Sequence, residues 1–247
     1  MKFCFFSSGE ELSERAGELI LGAIAEKPDL LLCVATGSSP EGTYQGLAGA
    51  YERNPEKFSR LRVIKLDEWA GVAMDNPASC EHQIRKQVLE PLHIGADRYT
   101  AFRSDAPDRE VECKRIEKAL EKEGPIDLCI LGLGRNGHLG LNEPGESLQP
   151  HPHVAALSQS SRNHPMAAGL ETKPEQGLTL GMANLMSARR ILLLVSGEGK
   201  RDVFYQLLQG KIRTTLPASF LWLHPRVEVL VLQQMKDVFR DYGGTSM

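Results

Sequence analysis

Apolar runs of strand length alternate along this chain with segments in which apolar residues recur every three or four positions. Residues 30–35 are apolar throughout, as in a strand buried on both faces, and 61–66 alternate apolar with basic positions. Residues 126–131, 191–195 and 227–232 repeat the strand pattern. Between them, 108–123 places Cys113, Ile116 and Leu120 on one face with charges elsewhere, which predicts an amphipathic helix. Ser79 is positioned to cap a helix running to Val88, and 198–208 predicts another after the fourth strand. Strands alternating with helices predict an α/β fold. No linker interrupts the pattern, so 1–247 reads as a single domain. Residues 143–176 hold five prolines (Pro144, Pro150, Pro152, Pro165, Pro174) and few apolar runs. A long irregular loop of this kind is commonly functional, which makes about 145–176 a lid candidate.

Composition narrows the function classes. Of 247 residues, 41% are hydrophobic and 25% charged, which suits a water-soluble core-forming chain. Lys plus Arg total 29 against 32 Asp plus Glu, a net charge of −3, and this argues against a general nucleic-acid binder. The N-terminal apolar run stops after Phe6, short of a signal-peptide core, and no stretch approaches a membrane span. The five cysteines are scattered and lack a CxxC pair, and Cys4, Cys33 and Cys129 lie inside apolar runs. The expectation is a cytoplasmic protein with free thiols, no metal site and no membrane partner. The tail from Met235 onward is polar, and it either frays or packs on a neighbour.

In open α/β sheets ligands bind beyond the carboxyl ends of the strands, and three loops there carry candidate chemistry. The first, Thr36-Gly37-Ser38-Ser39-Pro40, leads into a helical pattern from Glu41. Free N–H groups and the positive dipole end would hold a phosphate there, and the loop equally fits an ordinary turn. It lacks the Gly-Lys-Ser/Thr ending of a nucleotide-binding P-loop. The second strand ends in Asp67-Glu68-Trp69, where successive side chains point to opposite sides, so at most one acid enters a cleft. The third is Gly132-Leu133-Gly134-Arg135-Asn136-Gly137-His138-Leu139-Gly140-Leu141-Asn142-Glu143-Pro144. Its glycines match a dinucleotide fingerprint formally, but Gly140 and Pro144 interrupt the helix that fingerprint requires. What remains is a glycine-framed His138 with Glu143 nearby, a group able to carry protons near neutral pH.

Taken together, in order and spacing, these motifs resemble the glucosamine-6-phosphate deaminase family from the N-terminal region to about Leu232. Residues 145–150 and 217–224 are most similar to its galactosamine-6-phosphate isomerase/deaminase branch. The resemblance implies a Rossmann-like, mostly parallel twisted sheet with helices on both faces. It implies an aldose–ketose isomerisation coupled to loss of ammonia, with no cofactor and a sugar-phosphate substrate. Asp67 matches the base that moves a proton between C2 and C1, and His138 the acid/base that opens the sugar ring, with Glu143 as its charged partner. Thr36, Gly37, Ser38 and Ser39 match the phosphate loop, and Lys200 a phosphate-binding lysine. Asn136 stands where relatives carry an aspartate in the proton relay, and its side-chain oxygen is expected to accept from the ring N–H. The lid arginine of the family aligns with Ala167, which leaves Arg162 and His164 as substitutes. His153 and Ala155 replace basic residues of an allosteric site. Related 6-phosphogluconolactonases share a Gly-His loop but generally lack the Asn-Glu-Pro. Relatives range from monomers to hexamers, so a homo-oligomer stays open.

Overall fold

The computed structural model describes residues 1–197 and 199–237. In chain order the elements are β1 (Lys2–Phe6), α1 (Gly9–Glu26), β2 (Leu31–Val34), α2 (Ser38–Arg53), β3 (Arg62–Lys65), β4 (Asp67–Trp69) and α3 (Cys80–Ile84), which a π turn at Arg85–Leu89 extends. There follow β5 (Tyr99–Thr100), α4 (Arg109–Glu123), β6 (Leu128–Gly132), β7 (His153–Ala156), α5 (Gln159–Arg162) and β8 (Gln176–Thr179). The last are α6 (Met182–Met186), β9 (Arg190–Val195), α7 (Arg201–Leu208) and β10 (Val227–Leu232).

Seven strands form one sheet in the order β1-β10-β9-β6-β2-β3-β5, and every pairing is parallel. Its residues alternate between two cores. Leu31, Cys33, Cys129 and Leu193 pack with Cys113 and Ile116 of α4 and Phe204 and Leu207 of α7. Leu32, Val34, Leu128 and Leu194 pack on the opposite face with Ile20 of α1 and Leu47 of α2. Both faces are covered, which is why these strands read as unbroken apolar runs. Burying a leucine of this kind contributes about 1.5–3 kcal/mol. The expected cap is present, with Ser79 Oγ accepting from His82 N at 3.0 Å, and Asp108 turns out to cap α4, accepting from Glu110 N and Val111 N.

The chain leaves β2 toward β3 on one side and β6 toward β9 on the other. The strand order therefore reverses between β2 and β6, where a crevice opens. Above it sits a three-stranded antiparallel sheet, β4-β8-β7, which the sequence pattern did not predict. It pairs Asp67 with Thr179 and His153 with Thr179 on its two sides. The proline-rich stretch is thus less irregular than expected, since it carries β7, α5 and a 3-10 turn at Pro165–Gly169. Helix α7 begins at Arg201; the predicted start at residue 198, and the tail beyond residue 237, lie outside the described residues. Among the described residues no helix is long and apolar enough to cross a membrane.

Candidate active site

The loops after β2, β3 and β6, with the 160–166 segment, enclose a cavity of about 250 Å³. Thr36, Gly37, Ser38, Ser39, Asp67, His138 and Lys200 all line it, so most of the sequence candidates meet in one place. A wider depression of about 570 Å³ lies at the amino ends of β1, β9 and β10. Within it Arg190 pairs with Glu228 at 3.7 Å and with Glu26 at 3.9 Å, and it carries none of the candidate chemistry.

At one end of the cavity Gly37 has φ 99°, a backbone conformation that glycine adopts without steric cost. The turn starts α2 at Ser38, three residues before the position expected. No side chain caps that end, so first-turn N–H groups and the positive dipole end remain available to an anion. Ser39 Oγ meets Ser196 Oγ at 2.9 Å and accepts from Lys200 Nζ at 3.3 Å. Burial, reinforced by the charge of Arg135, pulls the Lys200 ammonium down to about 8.

Asp67 and Glu68 face opposite ways. Asp67 lines the cavity, and burial pushes its carboxyl up to about 7. The like charge of Glu68 adds to that rise, while His138 and Lys65 oppose it. Glu68 is fully buried and accepts from Lys65 Nζ at 2.6 Å and from the backbone N–H groups of Trp69, Cys80 and Glu81 at 2.7–3.0 Å. A carboxyl poised near 7 suits proton transfer at neutral pH; Glu68 is committed to structure.

His138 lies over Gly134 so closely that a Cβ there would sit 2.4 Å from the ring. Its Nδ1 is 3.3 Å from Ser161 Oγ and 3.6 Å from Glu143 Oε2, an ion-pair distance too long for a hydrogen bond. Among the described residues Nε2 has no hydrogen-bond partner. Burial would raise the Glu143 carboxyl, but the His138 imidazole, the Ser161 hydroxyl and the Asn136 amide outweigh it and hold it at about 2. Glu143 is therefore a carboxylate at neutral pH and places a negative charge beside the ring.

Two expectations are corrected by the geometry. The Asn136 oxygen accepts from the backbone N–H of His138 at 3.2 Å rather than from the ring, while Nδ2 donates to Glu143 Oε2 at 2.8 Å and to Ser158 Oγ at 3.1 Å. Asn136 thus orients the carboxylate. Arg162 is not brought to the cavity; its guanidinium faces Glu175 at 3.5 Å. His164 does line the cavity, but burial first, then the charges of His138, Lys200 and Arg135, lower its pKa, so it brings no cation at neutral pH. Ala167 is buried. Arg135, Ser161 and Ser196 line the cavity without having been singled out from the sequence. Arg135 lies inside the glycine loop after β6; Ser161 reaches His138 from 23 residues away, and no local spacing signals it.

A family model described as glucosamine-6-phosphate isomerases/6-phosphogluconolactonase matches residues 7–231. AgaI of Escherichia coli (strain K12), which is named as a deaminase, is 42% identical over 220 residues, spanning 89% of this chain and 87% of that protein. Glucosamine-6-phosphate deaminase 1 of Bacillus subtilis (strain 168) is 36% identical, covering 94% and 96%. The solved structure of a monomeric glucosamine-6-phosphate deaminase superposes with a TM-score of 0.91 at 35% identity, covering 96% of this chain and all of that one. With family match, identity and fold in agreement, the chain belongs to the glucosamine-6-phosphate isomerase/6-phosphogluconolactonase family.

Proposed function

We propose that the protein is a hexosamine-6-phosphate deaminase/isomerase, and that its substrate is galactosamine 6-phosphate, converted with water to tagatose 6-phosphate and ammonia. The observation that carries the reading is the convergence of Asp67, His138 with Glu143 behind it, and the Ser39–Lys200 end of α2 on one cavity. Lys200, the hydroxyls of Thr36, Ser38 and Ser39 and the start of α2 hold the phosphate. His138, beside the Glu143 carboxylate, gives a proton to the ring oxygen and opens the pyranose. Asp67 as carboxylate takes the C2 proton and returns a proton to C1, which leaves an imine at C2 that water hydrolyses to the ketose and ammonia. Serial proton transfers of this kind are worth about 10²–10⁴-fold each in rate. No step calls on an electron acceptor.

The galactosamine assignment rests on the branch resemblance of residues 145–150 and 217–224. It agrees with the 42% identity to a relative not named for glucosamine 6-phosphate, against 36% to one that is. Purified protein without added cofactor is expected to release ammonia from galactosamine 6-phosphate faster than from glucosamine 6-phosphate. Turnover of the glucosamine epimer alone would keep the chemistry and discard the substrate. Inertness toward both, with hydrolysis of 6-phosphogluconolactone, would replace the reading with that of a lactonase.

A further inference from the structure

The family's second phosphate-binding cation, an arginine of the lid, has no counterpart at its own position, and Arg162 is engaged with Glu175. A different arginine occupies the cavity. Arg135 lines it together with Thr36–Ser39, Ser196 and Lys200. Its side chain runs along the loop that leads into Lys200: a Cβ built on Gly199 would lie 3.5 Å from its Nε and 3.8 Å from its Cζ. Among the described residues neither Arg135 nor Lys200 has a carboxylate within ion-pair distance, whereas Arg162, the lid candidate, faces Glu175. Arg135 also bears on Lys200, whose lowered pKa reflects the neighbouring guanidinium after burial. Two like charges held together without a counter-ion, over an uncapped helix start, make a preorganised place for an anion of more than one charge.

We propose that Arg135 is the second cation of the phosphate site, gripping the phosphate with Lys200 from the glycine loop instead of from the lid. This rests on the reading of the cavity as a sugar-phosphate site. The guanidinium fork matches two phosphate oxygens, a geometry that a lysine ammonium does not reproduce. The location has a consequence for register. The turn that carries Arg135 is closed by Gly137 N to Gly134 O at 3.0 Å and Gly134 N to His138 O at 3.1 Å. One short rigid loop therefore fixes both the phosphate grip and the proton carrier, and no lid movement is needed to complete the clamp.

The test uses inorganic phosphate as probe, with binding followed by calorimetry, and the amino-sugar phosphate for kinetics. Arg135→Ala is expected to weaken inorganic phosphate binding about ten- to a hundredfold and to raise KM by a similar factor, with kcat changed only severalfold. Arg135→Lys is expected to recover part of the loss. Arg135 is exposed, so thermal melting of both variants is expected to match the parent. Unchanged phosphate binding in Arg135→Ala overturns the proposal. So does a loss seen in Arg162→Ala in its place, or a parent protein that binds no phosphate. Because binding is read without turnover, weakened binding in Arg135→Ala alongside a parent that releases no ammonia would reject the reaction and leave the clamp standing.

Discussion

Asn136 and Glu143 are 2.8 Å apart, yet the two side chains differ in what they give His138. Glu143 supplies charge, held ionised far below neutrality, at 3.6 Å from Nδ1. Asn136 supplies only orientation, through Glu143 and through the His138 backbone. Under the proposed reaction Glu143→Gln is expected to lower kcat about 10²–10³-fold and Asn136→Ala about tenfold. The reverse order in steady-state kinetics would assign the charge a minor role. The acid–histidine pair was legible in the sequence because both residues stand five apart in one loop. The Asn136 contact was misread, because whether an amide oxygen meets a ring nitrogen or a backbone N–H depends on a turn geometry that composition does not specify.

At the scale of elements, one buried ionic cluster joins β3, β4 and α3 behind the cavity. Lys65 is 1% exposed and donates to Glu68 at 2.6 Å and to Glu81 at 2.9 Å, and Tyr99 donates to Glu81 at 2.7 Å. Burial works against the Lys65 charge, but Glu68 and Glu81 outweigh it and hold the ammonium protonated. Removing the lysine would leave two carboxylates without their shared cation in a low-dielectric site, a change that costs about 3–5 kcal/mol. Lys65→Met is therefore expected to lower Tm by about 10 °C, and adding Glu68→Gln is expected to restore part of it. A melting curve that matches the parent would show the cluster to be dispensable. Residues 61–66 read correctly as a strand, yet the role of Lys65 was hidden, because Glu81 lies 16 residues away and meets it only when α3 docks.

For the whole molecule, two groups of the cavity stand poised near neutrality. Under the proposed reaction Asp67 must be ionised to accept a proton, and its carboxyl stands at about 7, while Lys200 must be charged to hold phosphate, and its ammonium stands at about 8. The value of kcat/KM is expected to rise with pH through about 7 and fall above about 8. Since the substrate also titrates, Glu68→Gln assigns the acid limb. It withdraws a like charge from Asp67 and is expected to move that limb to lower pH, whereas an unmoved limb belongs to the substrate. By itself the sequence determined five strands of the parallel sheet, the burial of its centre on both faces and the family, because a strand covered on both sides demands an unbroken apolar run and the glycine-histidine loop is locally written. It did not place β1, whose partner β10 comes from the far end of the chain, nor the small antiparallel sheet, whose strands are three or four residues long. Only the tertiary structure decided which acid faces the cavity, which serine reaches His138 and which arginine stands beside Lys200. Contacts around the cavity such as Ser161 with His138 and Lys200 with Ser39 span 23 and 161 residues, and they follow from strand order and helix docking, neither of which is encoded in the spacing of neighbouring residues.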